Sequence, residues 1–276
     1  MTTPYDTGDY LQKLAESHPL REPLLRRAIG ELQLPVGSRG LDAGCGLGHQ
    51  SLLLAEAVGP DGHITGLDLE PEFVQYARTL AKEAGLEDRV SFRDGDLNAL
   101  PFEDNTFDWV WSVDCVGYPI GDLTTLLQGL SRVTRPGGTI AILAWSSQTV
   151  LPGYQLLEAR LNATCSSFEP YLDENRPRTH FLRALHSFHQ AGLTETRVRT
   201  FVEDVQAPLD AEFRGAMISL FDMLWGQPRP GVAPVDRAAF ERLCRPDSPE
   251  CILDLPDYCA FFTYTMFRGR VPDFFP

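Results

Sequence analysis

An α/β fold with a mostly parallel sheet covered by helices is predicted by three features of the 276-residue sequence. Short apolar strands alternate with amphipathic helices between about residues 39 and 145, most of these elements end in a turn rich in Gly, Asp or Pro, and the composition is 43% hydrophobic with 22% charged residues, as in an ordinary globular chain.

Residues 9–30 predict one or two helices interrupted near Pro19, with Leu11, Leu14, Leu20, Leu24, Leu25 and Ile29 as the apolar face. Pro35-Val36-Gly37-Ser38 is a turn before a first strand that ends at Leu41-Asp42-Ala43. A helix over Gln50–Val58 stops at Gly59-Pro60-Asp61-Gly62, a second strand covers His63–Leu69, and Pro71–Ala84 is a helix closed by Gly85. Val90–Asp94 and Phe107–Val113 are the third and fourth strands, and a helix lies near Leu123–Val133. Arg135-Pro136-Gly137-Gly138 reads as a tight turn before a fifth strand, Thr139–Trp145. Parallel strands joined by right-handed crossovers place their carboxyl ends on one edge, where ligands bind.

Beyond Trp145 the rhythm changes. Residues 146–178 are irregular, with a helical stretch near Tyr154–Ala163, and Thr179–Ala191 is a helix ended by Gly192. Thr194–Val205 alternates as a strand, 209–225 is helical, 226–256 is rich in Pro and Gly, and Tyr258–Arg268 is an aromatic last strand.

The net charge of −14 disfavours nucleic acid and anionic membrane surfaces as partners. No apolar run approaches the ~20 residues of a membrane helix, and MTTPYDTGDY lacks the basic and apolar parts of a signal peptide, so a cytoplasmic protein is expected. The six cysteines form no C-x-x-C pair and no metal-spaced cluster, so no metal is expected.

Leu41-Asp42-Ala43-Gly44-Cys45-Gly46-Leu47-Gly48-His49 compresses a strand end, a glycine turn and a helix start. Three missing Cβ atoms let a ligand lie against bare backbone. His49 stands where a dinucleotide fingerprint requires its last glycine, and Asp42 would repel a phosphate but attract an ammonium or sulfonium group. Asp-x-Gly-x-Gly-x-Gly resembles motif I of the class I S-adenosylmethionine-dependent methyltransferases. Gly66-Leu67-Asp68-Leu69, Asp94-Gly95-Asp96-Leu97, Leu100-Pro101-Phe102-Glu103-Asp104-Asn105-Thr106-Phe107-Asp108 and Arg135-Pro136-Gly137-Gly138 extend the resemblance in the family's order over about half the chain.

The resemblance implies a Rossmann-like, doubly wound sheet with an antiparallel last strand, S-adenosylmethionine as cofactor and S-adenosylhomocysteine as product. It implies that Asp68 accepts from the ribose hydroxyls and Asp96 from the adenine amino group, with Leu97 covering the ring. Asp42 would face the cationic methionine end, and the backbone at Gly44 and near Ser112 would complete that pocket, with Cys45, Gly46, Gly48 and Leu69 in the same set. The family's histidine after strand four is absent here. Asp114 and Tyr118 stand near the expected methyl position, Tyr118 as wall or base, and His180 is a further candidate base at the start of a helix that also carries His186 and His189.

The helix at 209–225 is apolar over most of its circumference, leaving Glu212, Ser219 and Asp222 as a narrow polar stripe. One side packs on the domain; the other walls an apolar substrate pocket with Phe168, Tyr171 and Met217, or forms a homodimer interface or plain core. Tyr5 and Tyr10 are candidates to fold over the cofactor. The organisation expected is an N-terminal helical cap segment, 1–35, and a methyltransferase domain, 36–276, with cap insertions at about 146–178 and 206–256. The expected reaction is methyl transfer to a small apolar or aromatic acceptor, at oxygen or carbon. The alternatives are a non-catalytic cofactor-binding module, or a methyltransferase acting on protein or RNA.

Overall fold

The structure is a computed structural model that describes residues 7–116, 122–163, 180–227 and 231–273. Among them runs a seven-stranded sheet: β1 Arg39–Ala43, β2 His63–Asp68, β3 Val90–Asp94, β4 Phe107–Val113, β5 Thr134–Thr149, β6 Thr194–Gln206 and β7 Cys259–Arg270, in the order β3-β2-β1-β4-β5-β7-β6. The first five are parallel to one another, with Asp42 of β1 opposite Gly66 of β2 on one side and Trp111 of β4 on the other. β1 and β4 are buried almost throughout, as central parallel strands must be. The chain turns outward in opposite directions from β1 and β4, so the switch point, where such sheets bind ligands, lies between the ends of these two strands.

β7 runs antiparallel to both of its neighbours. Gly137 and Gly138 pair with Val271, while Ser146 bonds Thr263; on the other side Thr194 bonds the Arg270 carbonyl and Ala207 that of Tyr258. The expected tight turn at Arg135–Gly138 is instead an irregularity inside β5. Phe107 of β4 faces Thr134, but Trp109, only two residues on, faces Thr139, so β5 bulges while staying in the sheet. An Arg135–Asp108 ion pair fixes that bulge to β4.

The helices are α1 Thr7–Leu32, α2 His49–Val58, α3 Pro71–Glu83, α4 Leu123–Val133, α5 Gln155–Asn162, α6 Leu185–Gln190, α7 Ala211–Phe221 and α8 Pro234–Cys244. α1 is one helix despite Pro19 and Pro23, contrary to the expected break. Ser17 and Arg21 both donate to the Leu14 carbonyl, and the buried Leu20, Leu24, Leu25, Ala28 and Ile29 hold the helix in place where Pro19 and Pro23 each remove a backbone donor. α3 opens with Pro at its first position and buries Phe73, Val74, Ala77 and Ala81, a helical spacing worth roughly 1.5–3 kcal/mol for each large side chain covered. Asp122 caps α4 by accepting from the Thr125 amide at 2.9 Å.

Two compact units are distinguished by their internal contacts. One comprises Leu25–Trp145, Arg178–Phe201 and Tyr264–Pro276, and carries β1–β4, most of β5 and α2–α4. The other comprises the described parts of Met1–Leu24, Ser146–Pro177 and Val202–Thr263, with α5, α7 and α8. In this second unit α7 runs into one wider, π-type turn, Asp222–Gly226. Phe221 stacks on Trp225, which meets Phe240 edge-on. The Pro- and Gly-rich reading of 226–256 missed α8, whose Pro234 starts the helix and does not break one; Phe240, Leu243 and Cys244 anchor it. The polar stripe of this helical segment is only partly in water: Glu212 is exposed, but Ser219 donates to Glu16, and Asp222 pairs with both Lys13 and Arg245. Met217, expected on a pocket wall, is fully buried in this packing, while Phe168 and Tyr171 lie outside the described residues, as does Tyr5.

Candidate active site

β1 delivers the chain into the glycine loop at the switch point. Gly44, Gly46 and Gly48 all take left-handed backbone, with φ of 78°, 50° and 83°. Their roles differ, which the sequence did not separate. A Cβ on Gly44 would fall inside the Cys115 side chain, and one on Gly48 would press on Ala77 and Phe92 at 2.8 Å, so both are packing requirements. Around Gly46 nothing lies within 4 Å of such an atom, and the loop there borders open space.

The loop is tied to the end of β2. Gly44 and Cys45 donate to the Leu67 carbonyl at 2.8 and 3.0 Å, and the Gly46 amide donates to Asp68 Oδ2 at 2.8 Å. Asp68 Oδ1 accepts from Glu70 N at 3.1 Å. Burial pushes the Asp68 carboxyl upward in spite of these donors. Leu69, next to it, leaves 60% of its surface exposed. An apolar side chain held open beside an acid at a strand end has no packing function.

Asp42 is buried under the loop. Its Oδ2 accepts from Ser51 Oγ of α2 at 2.6 Å, and desolvation, with Asp68 adding to it, pushes its carboxyl up to about 7. Ser51 was not singled out from the sequence; its place in the first turn of α2, one turn beyond the loop, is the signal that could have found it. Asp96 is exposed and caps the short turn Leu97–Ala99. Asn98 donates to its Oδ1 through backbone and side chain at 2.8 and 2.9 Å, which holds the carboxyl below its usual range. Leu97 is nearly buried; a recess of about 340 Å³ runs from it past Leu100 and Leu126 to Arg132.

At the end of β4, Ser112 Oγ accepts from Val116 N at 3.2 Å, and Asp114 stands in left-handed backbone with φ 49°. The Asp114 carboxylate accepts from Trp145 N at 2.9 Å and from the Tyr264 hydroxyl at 2.6 Å. Tyr118 lies outside the described residues. His180, His186 and His189 do not share a helix. His180 caps the separate turn Phe181–Arg183, its Nδ1 accepting from Leu182 N at 3.2 Å, whereas His186 and His189 belong to α6. Burial lowers the His180 pKa, and an accepting Nδ1 leaves the proton of the neutral ring on Nε2, so the side chain offers a donor. No group of His, Cys, Asp and Glu suited to a metal occurs among the described residues, and no described helix is long and apolar enough to cross a membrane.

A seven-stranded sheet of this order, with a glycine loop after β1 and an acid after β2, defines an S-adenosylmethionine-dependent methyltransferase of class I. The chain belongs to the methyltransferase-domain family, whose model matches residues 35–192. It is 30% identical over 199 residues to the demethylmenaquinone methyltransferase of Staphylococcus aureus, covering 66% of this chain and 78% of that protein. The fold is shared with the YcgJ protein of Bacillus subtilis, with a TM-score of 0.53 at 18% identity over 90% of this chain and 97% of that one. It is shared too with the geranyl diphosphate C-methyltransferase of Streptomyces coelicolor, crystallised with S-adenosyl-L-homocysteine, with a TM-score of 0.53 at 15% identity over 97% and 85% of the two chains.

Proposed function

We propose that this enzyme moves the methyl group of S-adenosylmethionine to a small apolar or aromatic acceptor, at carbon or oxygen. The observation that carries the reading is the open space at Gly46, whose amide is held by Asp68, with the ionisable Asp42 buried at the end of β1. No lysine or arginine stands in residues 42–50, so the loop suits a cationic nucleoside better than a nucleotide phosphate. The S. aureus relative, named for demethylmenaquinone, supports an aromatic acceptor.

In this assignment Asp68 accepts from the ribose hydroxyls, Leu69 and Leu97 flank the adenine, and Asp96 accepts from its amino group. Asp42 balances the charge of the methionine amino group, directly or through a water, while Gly44, Cys45, Gly46, Gly48 and Ser112 shape the backbone around it. The bound cofactor supplies a methyl group on positively charged sulfur. The protein's part is alignment of acceptor and methyl group. His180, at the head of the turn Phe181–Arg183, orients the acceptor.

Asp68→Ala is expected to weaken cofactor binding by about 1–3 kcal/mol through lost charge-assisted hydrogen bonds, and further because the Gly46 amide loses its anchor. Calorimetry with unchanged affinity would remove Asp68 from the site. His180→Asn keeps a capping side chain and removes the imidazole. Turnover should drop about tenfold or more at constant cofactor affinity; full turnover across pH would return His180 to a purely structural cap.

A further inference from the structure

The Asp114 carboxylate, which the sequence offered as a base, is held by donors on two other strands. Tyr264 lies in the middle of β7, beside Trp145 of β5, and their rings meet edge-on at 5.5 Å. Its fully buried phenol reaches past β5 to donate to Asp114 Oδ2 at 2.6 Å, while Trp145 N donates to Oδ1 and the Asp114 amide itself donates to the Leu143 carbonyl, both at 2.9 Å. A non-glycine residue at φ 49° persists only where its surroundings over-determine it, and these three bonds do so. The next residue is Cys115, whose Sγ and Cβ occupy the space a Cβ on Gly44 would need.

We propose that Tyr264 is a positioning residue for the cofactor loop. By holding Asp114 in its left-handed turn, the phenol wedges Cys115 against Gly44 and so sets the height of the loop over the switch point. Asp114 is then the link between β7 and the glycine loop, and its carboxylate does not serve as the proton acceptor of the reaction. The inference rests on the cofactor assignment made above, but its first readout is independent of any ligand.

Tyr264→Phe deletes one oxygen without changing the ring. In the full-length variant, alkylation of Cys115 by a thiol reagent, followed by mass spectrometry of the tryptic peptides, should accelerate about tenfold relative to wild type. The dissociation constant for S-adenosylhomocysteine should rise about tenfold, the scale for losing one hydrogen bond to a carboxylate, under conditions where circular dichroism shows a folded protein. Asp114→Asn, whose amide oxygen can accept from Trp145 N and whose NH2 can donate to the phenol oxygen, should stay within about threefold of wild type in both assays. Should Tyr264→Phe fail to fold, Asp114→Ala provides the same two readouts. Wild-type protection of Cys115 in the affected variant, or wild-type affinity with Cys115 exposed, would overturn the positioning role. Failure of wild-type protein to bind S-adenosylhomocysteine would instead strike the cofactor assignment and leave the Cys115 result standing by itself.

Discussion

Alanine at Gly44 should cost the fold about 2–5 kcal/mol, whereas alanine at Gly46 should cost it only about 1–2 kcal/mol and weaken ligand binding about thirtyfold or more. Both positions are left-handed, so each substitution carries about 1–2 kcal/mol of backbone strain. At Gly44 the new methyl group also collides with Cys115, which is itself held by the turn at Asp114 and has no easy retreat. Thermal or denaturant unfolding measures the loss. The double variant Gly44→Ala/Cys115→Gly should recover the collision but keep the strain, returning roughly 1–3 kcal/mol. At Gly46 the methyl group meets no protein atom and projects into the space assigned to the cofactor. There the melting temperature should shift by a few degrees only, while the dissociation constant of S-adenosylhomocysteine rises about thirtyfold or more. Equal stability losses at the two glycines would show that Cys115 does not resist a Cβ at Gly44, and an unchanged dissociation constant in the Gly46 variant would show that no ligand occupies the open space.

Asp42→Asn should remove a pH dependence that wild type carries. In the ligand-free protein the Asp42 carboxyl stands at about 7 against an ordinary value of 3.8. The folded state therefore holds this proton more tightly than the unfolded chain does. Its contribution to stability is complete below about pH 4 and is lost as pH rises through about 7, by up to roughly 4 kcal/mol. A cation bound next to Asp42 favours the ionised form, so cofactor binding near pH 7 should release a proton and tighten from about pH 6 to about pH 8. The amide oxygen of the asparagine variant still accepts from Ser51, but the side chain cannot ionise. Its melting temperature should be flatter between about pH 4 and pH 7, and its affinity about tenfold to a hundredfold weaker at about pH 8 with no remaining slope. Calorimetry in two buffers of different ionisation enthalpy counts the released proton directly. An identical pH slope in the asparagine variant would place the titration elsewhere.

The parallel core was legible because its strands are local signals, apolar runs bounded by turn residues, and helix patterns follow the first, second and fourth of them. The last strand's antiparallel direction followed from the resemblance. Where local rules misled, longer-range structure had replaced what they count. Pro19 did not break α1, because the buried leucines that follow it hold the helix. Pro136 and Gly137 did not make a separate turn before the fifth strand, because Val271, just past β7, pairs with the bulge they form. Pro234 was read as loop chemistry although it is a first-turn residue of α8. Among the candidate site residues, 42–48, 68 and 96 could be named from the family resemblance, but not the difference between Gly44 and Gly46, which depends on Cys115 about seventy residues on. Nor could the partner of Asp114, since Tyr264 lies 150 residues away and is joined only by the strand order.

The most direct test is calorimetric titration of the full-length protein with S-adenosylhomocysteine, repeated with NAD and with the Gly46→Ala variant. The expected result is one site per chain for S-adenosylhomocysteine, none for NAD, and loss of the site in a variant that still unfolds near the wild-type temperature. Tight binding of NAD, or undiminished S-adenosylhomocysteine binding by Gly46→Ala, would contradict a sulfonium-nucleoside site at this loop.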